Sequence, residues 1–241
     1  MSKNILITGV SRGVGLEIAR AVLATGWSVY GIGRTIGDFA CVMEDYPGKT
    51  HFSAIDLVDP SKIKSAIFET LLTPDLPLHG VVNNAASAYD DLASNLDQGR
   101  LETMFRLNVF TPMEITKHAI RRMLVHSTAG SLVHVSSISA HRGYKGLAMY
   151  GASKGAIESF SKGIAREWGE RGIRSNCVVA GFMETDMSAG LTDEQRQRIL
   201  RQTALKQATK VESVAATVVH LLSDDSTSIT GQNVIVDSGT I

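Results

Sequence analysis

The stretch Ile5-Leu6-Ile7-Thr8-Gly9-Val10-Ser11-Arg12-Gly13-Val14-Gly15 decides the fold. A short apolar run enters a glycine turn and leaves it, near Val14, as a helix with the periodicity Leu16-x-x-Ala19-Arg20-x-x-Leu23. In such a strand, turn and helix, backbone N–H groups and the positive end of the helix dipole face whatever fills the turn, and a pyrophosphate fits there. Glycine permits the tight turn and the close approach of backbone to phosphate. The spacing is Gly-x-x-x-Gly-x-Gly rather than the commoner G-x-G-x-x-G, and alone the turn could be a plain strand–helix connection.

Working outward, apolar runs recur at Ile5 to Ile7, Val29 to Ile32, His51 to Ile55, Gly80 to Val82, Leu132 to Val135, Cys177 to Val179 and Val234 to Val236. Near-continuous apolar runs separated by helical periodicity indicate parallel strands covered on both faces by crossover helices. The expectation is an α/β fold with a doubly wound, seven-stranded parallel sheet. The 241 residues, without a Pro/Gly-rich linker, repeat or low-complexity tract, predict a single domain spanning 1–241. The least regular stretches are 84–98 and 182–196, and loops of that length are often functional.

A hydrophobic fraction of 44% suits a substantial core, and 24 basic residues balance 24 acidic ones, so charge gives no argument for nucleic acid or a membrane surface. No apolar run is long enough to span a bilayer and the N-terminus shows no signal-peptide pattern, which predicts a cytoplasmic protein. Cys41 and Cys177 read as reduced thiols, and the seven histidines show no ligand spacing, so no metal is expected.

After the second run, where an NAD enzyme places a carboxylate against the ribose hydroxyls, the chain has Gly31-Ile32-Gly33-Arg34. Arg34, with Arg12 in the glycine turn, could hold a 2′-phosphate through planar guanidinium groups, which favours NADP(H) over NAD; two solvated arginines are the alternative. Tyr150 and Lys154 stand one helical turn apart, thirteen residues after Ser137. A tyrosine of ordinary pKa about 10 can give a proton to a carbonyl oxygen as hydride arrives. A lysine on the next turn would lower that pKa, and a serine beyond the fifth strand could steady the developing charge. An exposed helix pair and a loop hydroxyl are the alternative reading.

With these residues in order, the chain resembles the short-chain dehydrogenase/reductase family over nearly its whole length. Thr8 to Gly15 matches the family's TGxxxGxG turn, Asp56 its aspartate after strand three, and Asn83-Asn84-Ala85 its NNAG segment. Asn108, Ser137, Tyr150 and Lys154 match its catalytic tetrad. Ala165-Arg166-Glu167, Arg171-Gly172-Ile173, the stretch from Gly181 to Met187 and Ile229-Thr230-Gly231 look like the bacterial 3-oxoacyl-acyl-carrier-protein reductases. The resemblance implies a Rossmann-type fold and a cofactor surrounded by Gly9, Ser11, Arg12, Gly13, Val14 and Gly15. It places Asp56 and Leu57 at the adenine, Asn83 and Ala85 along the ribose, and Gly181 and Thr185 at the nicotinamide carboxamide. Lys154 would also hold the nicotinamide ribose beside Tyr150, and Asn108 would hold a water in a proton relay to Lys154. The chain departs from the family at Ala86, in place of the last glycine of NNAG, and at Ala180-Gly181, in place of Pro-Gly.

Substrate contacts are expected from Ser137, His141, Tyr150 and Met183. His141-Arg142-Gly143-Tyr144-Lys145 could meet a phosphopantetheine thioester or be a solvated loop. Arg171 matches a position used for carrier-protein docking, whereas 127–131 lacks the basic residues often found there. Met183, Met187, Leu191 and Ile199 form either a lid over an aliphatic chain or an amphipathic helix on the core. The expected function is NADPH-dependent reduction of 3-oxoacyl thioesters for fatty-acid, polyketide or related synthesis. The alternatives are a reductase of a small ketone, quinone, sugar or hydroxysteroid, and a non-catalytic NADP-binding regulator. By resemblance, helices beginning near Tyr150 and spanning about Leu101 to Met123 would pair across a dimer axis in a homotetramer.

Overall fold

All seven apolar runs are strands: β1 (Asn4–Thr8), β2 (Ser28–Gly33), β3 (Thr50–Ala54), β4 (Gly80–Asn83), β5 (Ser131–Ser137), β6 (Arg174–Ala180) and β7 (Asn233–Val236). The computed structural model describes residues 2–185, 188 and 190–241. Every strand pairing is parallel, in the order β3-β2-β1-β4-β5-β6-β7. The order reverses between β1 and β4, and all carboxyl ends lie along one edge, so the crevice outside β1 and β4 is where a doubly wound sheet binds its ligand.

The continuous apolar character of the strands follows from burial on two sides. Along β1, Ile5 and Ile7 join the layer built by α1 (Gly13–Ala24), α2 (Phe39–Asp45) and α7 (Val211–Leu222), whereas Leu6 joins the opposite one. That opposite layer holds Ile115, Ala119 and Met123 of α4 (Thr111–Val125) and Ile164 of α5 (Ala148–Trp168). A side-chain period of two turns successive residues to opposite faces, so both parities must be apolar. Each fully buried aliphatic side chain stabilises the fold by roughly 1.5–3 kcal/mol.

The sequence predicts one helix from about Leu101 to Met123; the structure divides it. The helix α3 (Gln98–Phe105), capped by Asp97 Oδ1 accepting from Arg100 N–H at 2.8 Å, passes through a π-wound turn, Arg106–Phe110, into α4. Pro112 has no N–H, so the α-helical bond to the carbonyl of Asn108 cannot form, and the winding changes beside it. In the second irregular stretch, α6 (Asp193–Gln202) begins in a capping box between Thr192 and Gln195 and buries none of its residues. Its apolar residues Ile199 and Leu200 are half-buried, and Met183 packs separately against the α1/α7 layer. Met187 lies outside the described residues.

Among the described residues, no helix is long and apolar enough to cross a membrane, and no three His, Cys, Asp or Glu side chains group as metal ligands. Arg122 of α4 fastens the 68–76 crossover. Its guanidinium donates to the carbonyls of Phe68 (2.6 Å), Leu72 (3.2 Å), Pro74 (3.0 Å), Leu76 (3.3 Å) and Thr73. Arg122→Met leaves these acceptors unpaired and is expected to lower stability by about 2 kcal/mol, read as a lower urea midpoint at unchanged slope.

Candidate active site

The glycine turn is held by its neighbours' backbones. Gly9 N–H donates to the Ile32 carbonyl at 2.6 Å, Asp38 N–H to the Ser11 carbonyl at 3.0 Å, and Ser11 Oγ to the Thr35 carbonyl. A Cβ on Gly15 would fall 2.0 Å from the Gly9 carbonyl oxygen, a contact only glycine allows. Asn84 closes the turn from the β4 side, its Nδ2 donating to the carbonyls of Thr8 (3.0 Å) and Gly9 (3.3 Å). Helix α1 starts at this turn with no side-chain cap and no acidic residue in its first turn. Its first N–H groups and dipole are thus open to an external anion. Arg34 lies exposed just past β2. A dinucleotide fits this cradle: its pyrophosphate matches the α1 amides, and the space Gly13 faces is open, since a Cβ there would meet nothing within 4 Å.

Other expected cofactor positions differ in what they can offer. Asp56 is exposed, with Oδ1 accepting from Val58 N–H at 3.1 Å, whereas the Leu57 side chain is buried in the core and leaves only its backbone for an adenine. Ala85 N–H donates to Thr8 Oγ1. Asn83 is buried at the end of β4; its Nδ2 donates to His134 Nδ1 at 3.2 Å, and its Oδ1 is buried with no partner. Gly181 packs so closely that a Cβ would meet Thr209 Oγ1 at 2.4 Å and Asp237 Cα at 2.6 Å, and Thr185 N–H donates to Ser188 Oγ.

The tetrad residues converge beyond the carboxyl end of β5. Tyr150 and Lys154 lie on α5 one turn apart, with Lys154 Nζ 5.7 Å from the Tyr150 ring centroid. Ser137, the last residue of β5, lies near enough to Tyr150 to act on its phenol, and its Oγ accepts from Ser139 N–H at 3.2 Å and from Ser139 Oγ at 3.0 Å. Burial pushes the Tyr150 phenol up to about 12, against the smaller lowering by Ser137. Burial also pulls the Lys154 ammonium down to about 8, opposed by the nearby Cys177 and Glu158. Its Nζ donates to the Val135 carbonyl at 2.8 Å. Desolvation dominates at Tyr150, and the phenol holds its proton.

Asn108 sits in the π-wound turn with its side-chain amide fully engaged. Oδ1 accepts from Ser87 N–H at 2.9 Å, while Nδ2 donates to the Ser87 carbonyl at 2.9 Å and to Ser153 Oγ at 3.1 Å. His141 turns Nε2 to Glu158 at 2.8 Å, and Arg142 donates to the Thr240 carbonyl at 3.1 Å. Two of the three charges read in that loop therefore have partners elsewhere in the protein, although both residues are exposed. Met183 packs against the core, as described.

Residues that sequence reasoning passed over complete the surroundings. His134, wholly buried, is pulled down to about 4 by desolvation and by the charge of Lys154, so it is neutral. With Nδ1 accepting from Asn83, the proton is on Nε2, facing Ser175 Oγ at 3.4 Å. Ser153 and Glu158 are buried on α5. A polar residue inside an apolar strand run, and a glutamate four residues after a site lysine, are signals the sequence did contain.

Over residues 9–240 the chain matches the protein-family model described as enoyl-(acyl carrier protein) reductase. It is 32% identical over 238 residues to the 3-oxoacyl-(acyl-carrier-protein) reductase of Salmonella typhimurium, covering 98% of this chain and 96% of that one. To the L-xylulose reductase of Caenorhabditis elegans it is 28% identical over 239 residues, covering 98% and 95%. Among solved structures, ElxO with NADP bound superposes with a TM-score of 0.90 at 25% identity, covering 100% of this chain and 99% of that one.

Gly15→Ala would force the 2.0 Å contact apart. It is expected to destabilise the protein by about 1–3 kcal/mol, a loss measurable by urea unfolding without any ligand present.

Proposed function

We propose that this chain, which belongs to the short-chain dehydrogenase/reductase family, is an NADPH-dependent reductase of 3-oxoacyl thioesters carried on an acyl carrier protein. It is an oxidoreductase by family; the choice of cofactor and substrate is our reading. The observation that carries it is the Tyr150 phenol, half-buried beside Ser137 and held protonated, at the crevice mouth with Lys154 Nζ 5.7 Å from its ring. A general acid for carbonyl reduction must carry its proton at working pH, and burial secures that.

The bound nicotinamide dinucleotide supplies the hydride. The α1 amides and the glycine turn hold its pyrophosphate, and Arg12 and Arg34 favour a 2′-phosphate through charge-assisted bonds. The NADP bound in ElxO and the activity of the Salmonella relative support both choices. Ser137 Oγ orients the substrate carbonyl, and Tyr150 Oη gives it the proton. Lys154, cationic at neutral pH, stabilises the phenolate that forms. The side-chain amide of Asn108 is engaged, so a relay water toward Lys154 falls to its backbone carbonyl, which Pro112 leaves without its α-helical donor. The α4 and α5 helices, with Phe110 exposed at the start of α4, are the faces on which we place a homotetramer.

The pairing of His141 with Glu158 and of Arg142 with the Thr240 carbonyl favours one second reading, a small sugar or polyol ketone, as in the L-xylulose reductase. NADPH oxidation, followed at the nicotinamide absorbance, decides between them. Faster turnover of acetoacetyl carrier protein than of small ketones is expected, and the reverse order refutes the thioester reading. Tyr150→Phe should abolish turnover while NADPH still binds. Arg34→Asp should weaken NADPH relative to NADH more than tenfold, since attraction becomes repulsion. The reductive rate should fall as pH rises through about 8, where Lys154 loses the proton that makes it a cation.

A further inference from the structure

Glu158 is a buried charge that the scheme above leaves without a task. It lies on α5 four residues beyond Lys154, on the same face one turn further along, and is 6% exposed. Its carboxylate gathers three other parts of the fold. Ser136 Oγ on β5 donates to Oε1 at 2.5 Å, Asn233 Nδ2 at the head of β7 donates to Oε2 at 2.6 Å, and His141 Nε2 stands 2.8 Å from Oε2. His141 comes from the loop that follows Ser137, is partly open to solvent, and carries charge only when protonated.

The groups around Lys154 explain why such a carboxylate would be kept. Tyr150 and Glu158 face it from α5, His134 from β5 and Cys177 from β6; Lys162, a turn beyond Glu158, adds a positive charge near Cys177. Tyr150 is a phenol, His134 is neutral, and burial pushes the Cys177 thiol up to about 12. Among the described residues named here, Glu158 is the one that brings negative charge to this interior. An enclosed ammonium facing the Val135 carbonyl stays charged only with such an anion in reach.

We infer that Glu158 is a positioning residue that holds Lys154 in its ammonium form, and that His141 at the rim governs how much of that charge Lys154 feels. The inference rests on the role given to Lys154 above. It extends control of the site to the solvent-facing loop after Ser137.

NADPH affinity, followed by nicotinamide fluorescence against pH, tests this without a known substrate. Affinity should fall through about pH 8 as Lys154 deprotonates, and Lys154→Met should abolish that limb. If Lys154→Met keeps the limb, the role of Lys154 itself fails. Glu158→Gln keeps the shape and deletes the charge, and should move the limb to lower pH by on the order of one unit. Glu158→Asp keeps the charge and should leave the limb near its place despite imperfect packing, which a merely structural role would not predict. His141→Arg sets a permanent cation on Glu158 from the loop and should move the limb in the same downward direction. It decides the matter alone if the buried amide does not fold. A limb that vanishes in Lys154→Met yet stays fixed in a folded Glu158→Gln, or in His141→Arg, overturns the inference and leaves the proposed function standing.

Discussion

One hydroxyl joins the two halves of the sheet where its order reverses. Thr8 Oγ1, at the end of β1, donates to the Val82 carbonyl at 3.4 Å and accepts the N–H groups of Asn84 and Ala85, each at 3.0 Å. The chain leaving β4 is thereby tied to the residue that opens the glycine turn, and Asn84 turns back to bond that turn's carbonyls. Parallel strands alone would leave two loops diverging at the reversal. Bound together, they form one wall of a crevice, and the tetrad residues approach it from β5, α5 and the π-wound turn.

Burial works on the titratable groups of this interior in one direction, toward their neutral forms. It raises Tyr150 and Cys177 and lowers Lys154 and His134. The consequence for chemistry differs by group. The phenol gains a secure proton, the imidazole becomes a fixed hydrogen-bonding link between Asn83 and Ser175, and the lysine is left with a charge its surroundings must defend. Sequence reasoning has Lys154 acting on Tyr150. The structure adds that the enclosing apolar layers act on both.

The fold was legible because its signals are local and repeated. Strands covered on two faces are apolar at most positions, so the strands showed as runs even where the edge strands β3 and β7 are partly exposed, and the glycine turn followed from contacts that only a missing Cβ permits. The approach of Ser137, Tyr150 and Lys154 was legible because their spacing is rigid: two residues one helical turn apart and a serine at a strand end. Partnerships between distant segments were not legible. The engagement of His141 by Glu158, of Arg142 by Thr240, and of Arg122 by five carbonyls depends on residues 17 to 98 positions apart, and no pattern within one element announces them. The break in the long helix was announced by Pro112, a cue outweighed by apolar periodicity on either side of it.

The π-wound turn at Arg106–Phe110 also sets a phase. An α-helix advances about 100° per residue, so a surplus residue wound into the turn rotates everything after it by about that angle relative to α3. Ile115, Ala119 and Met123 reach the sheet because of that offset. Deleting one residue between 106 and 110 would make a straighter helix and turn this apolar stripe of α4 sideways, away from the strands. The irregularity that carries Asn108 is thus also the alignment key of the helix behind it, which binds the chemistry of the site and the packing of the core to the same few residues.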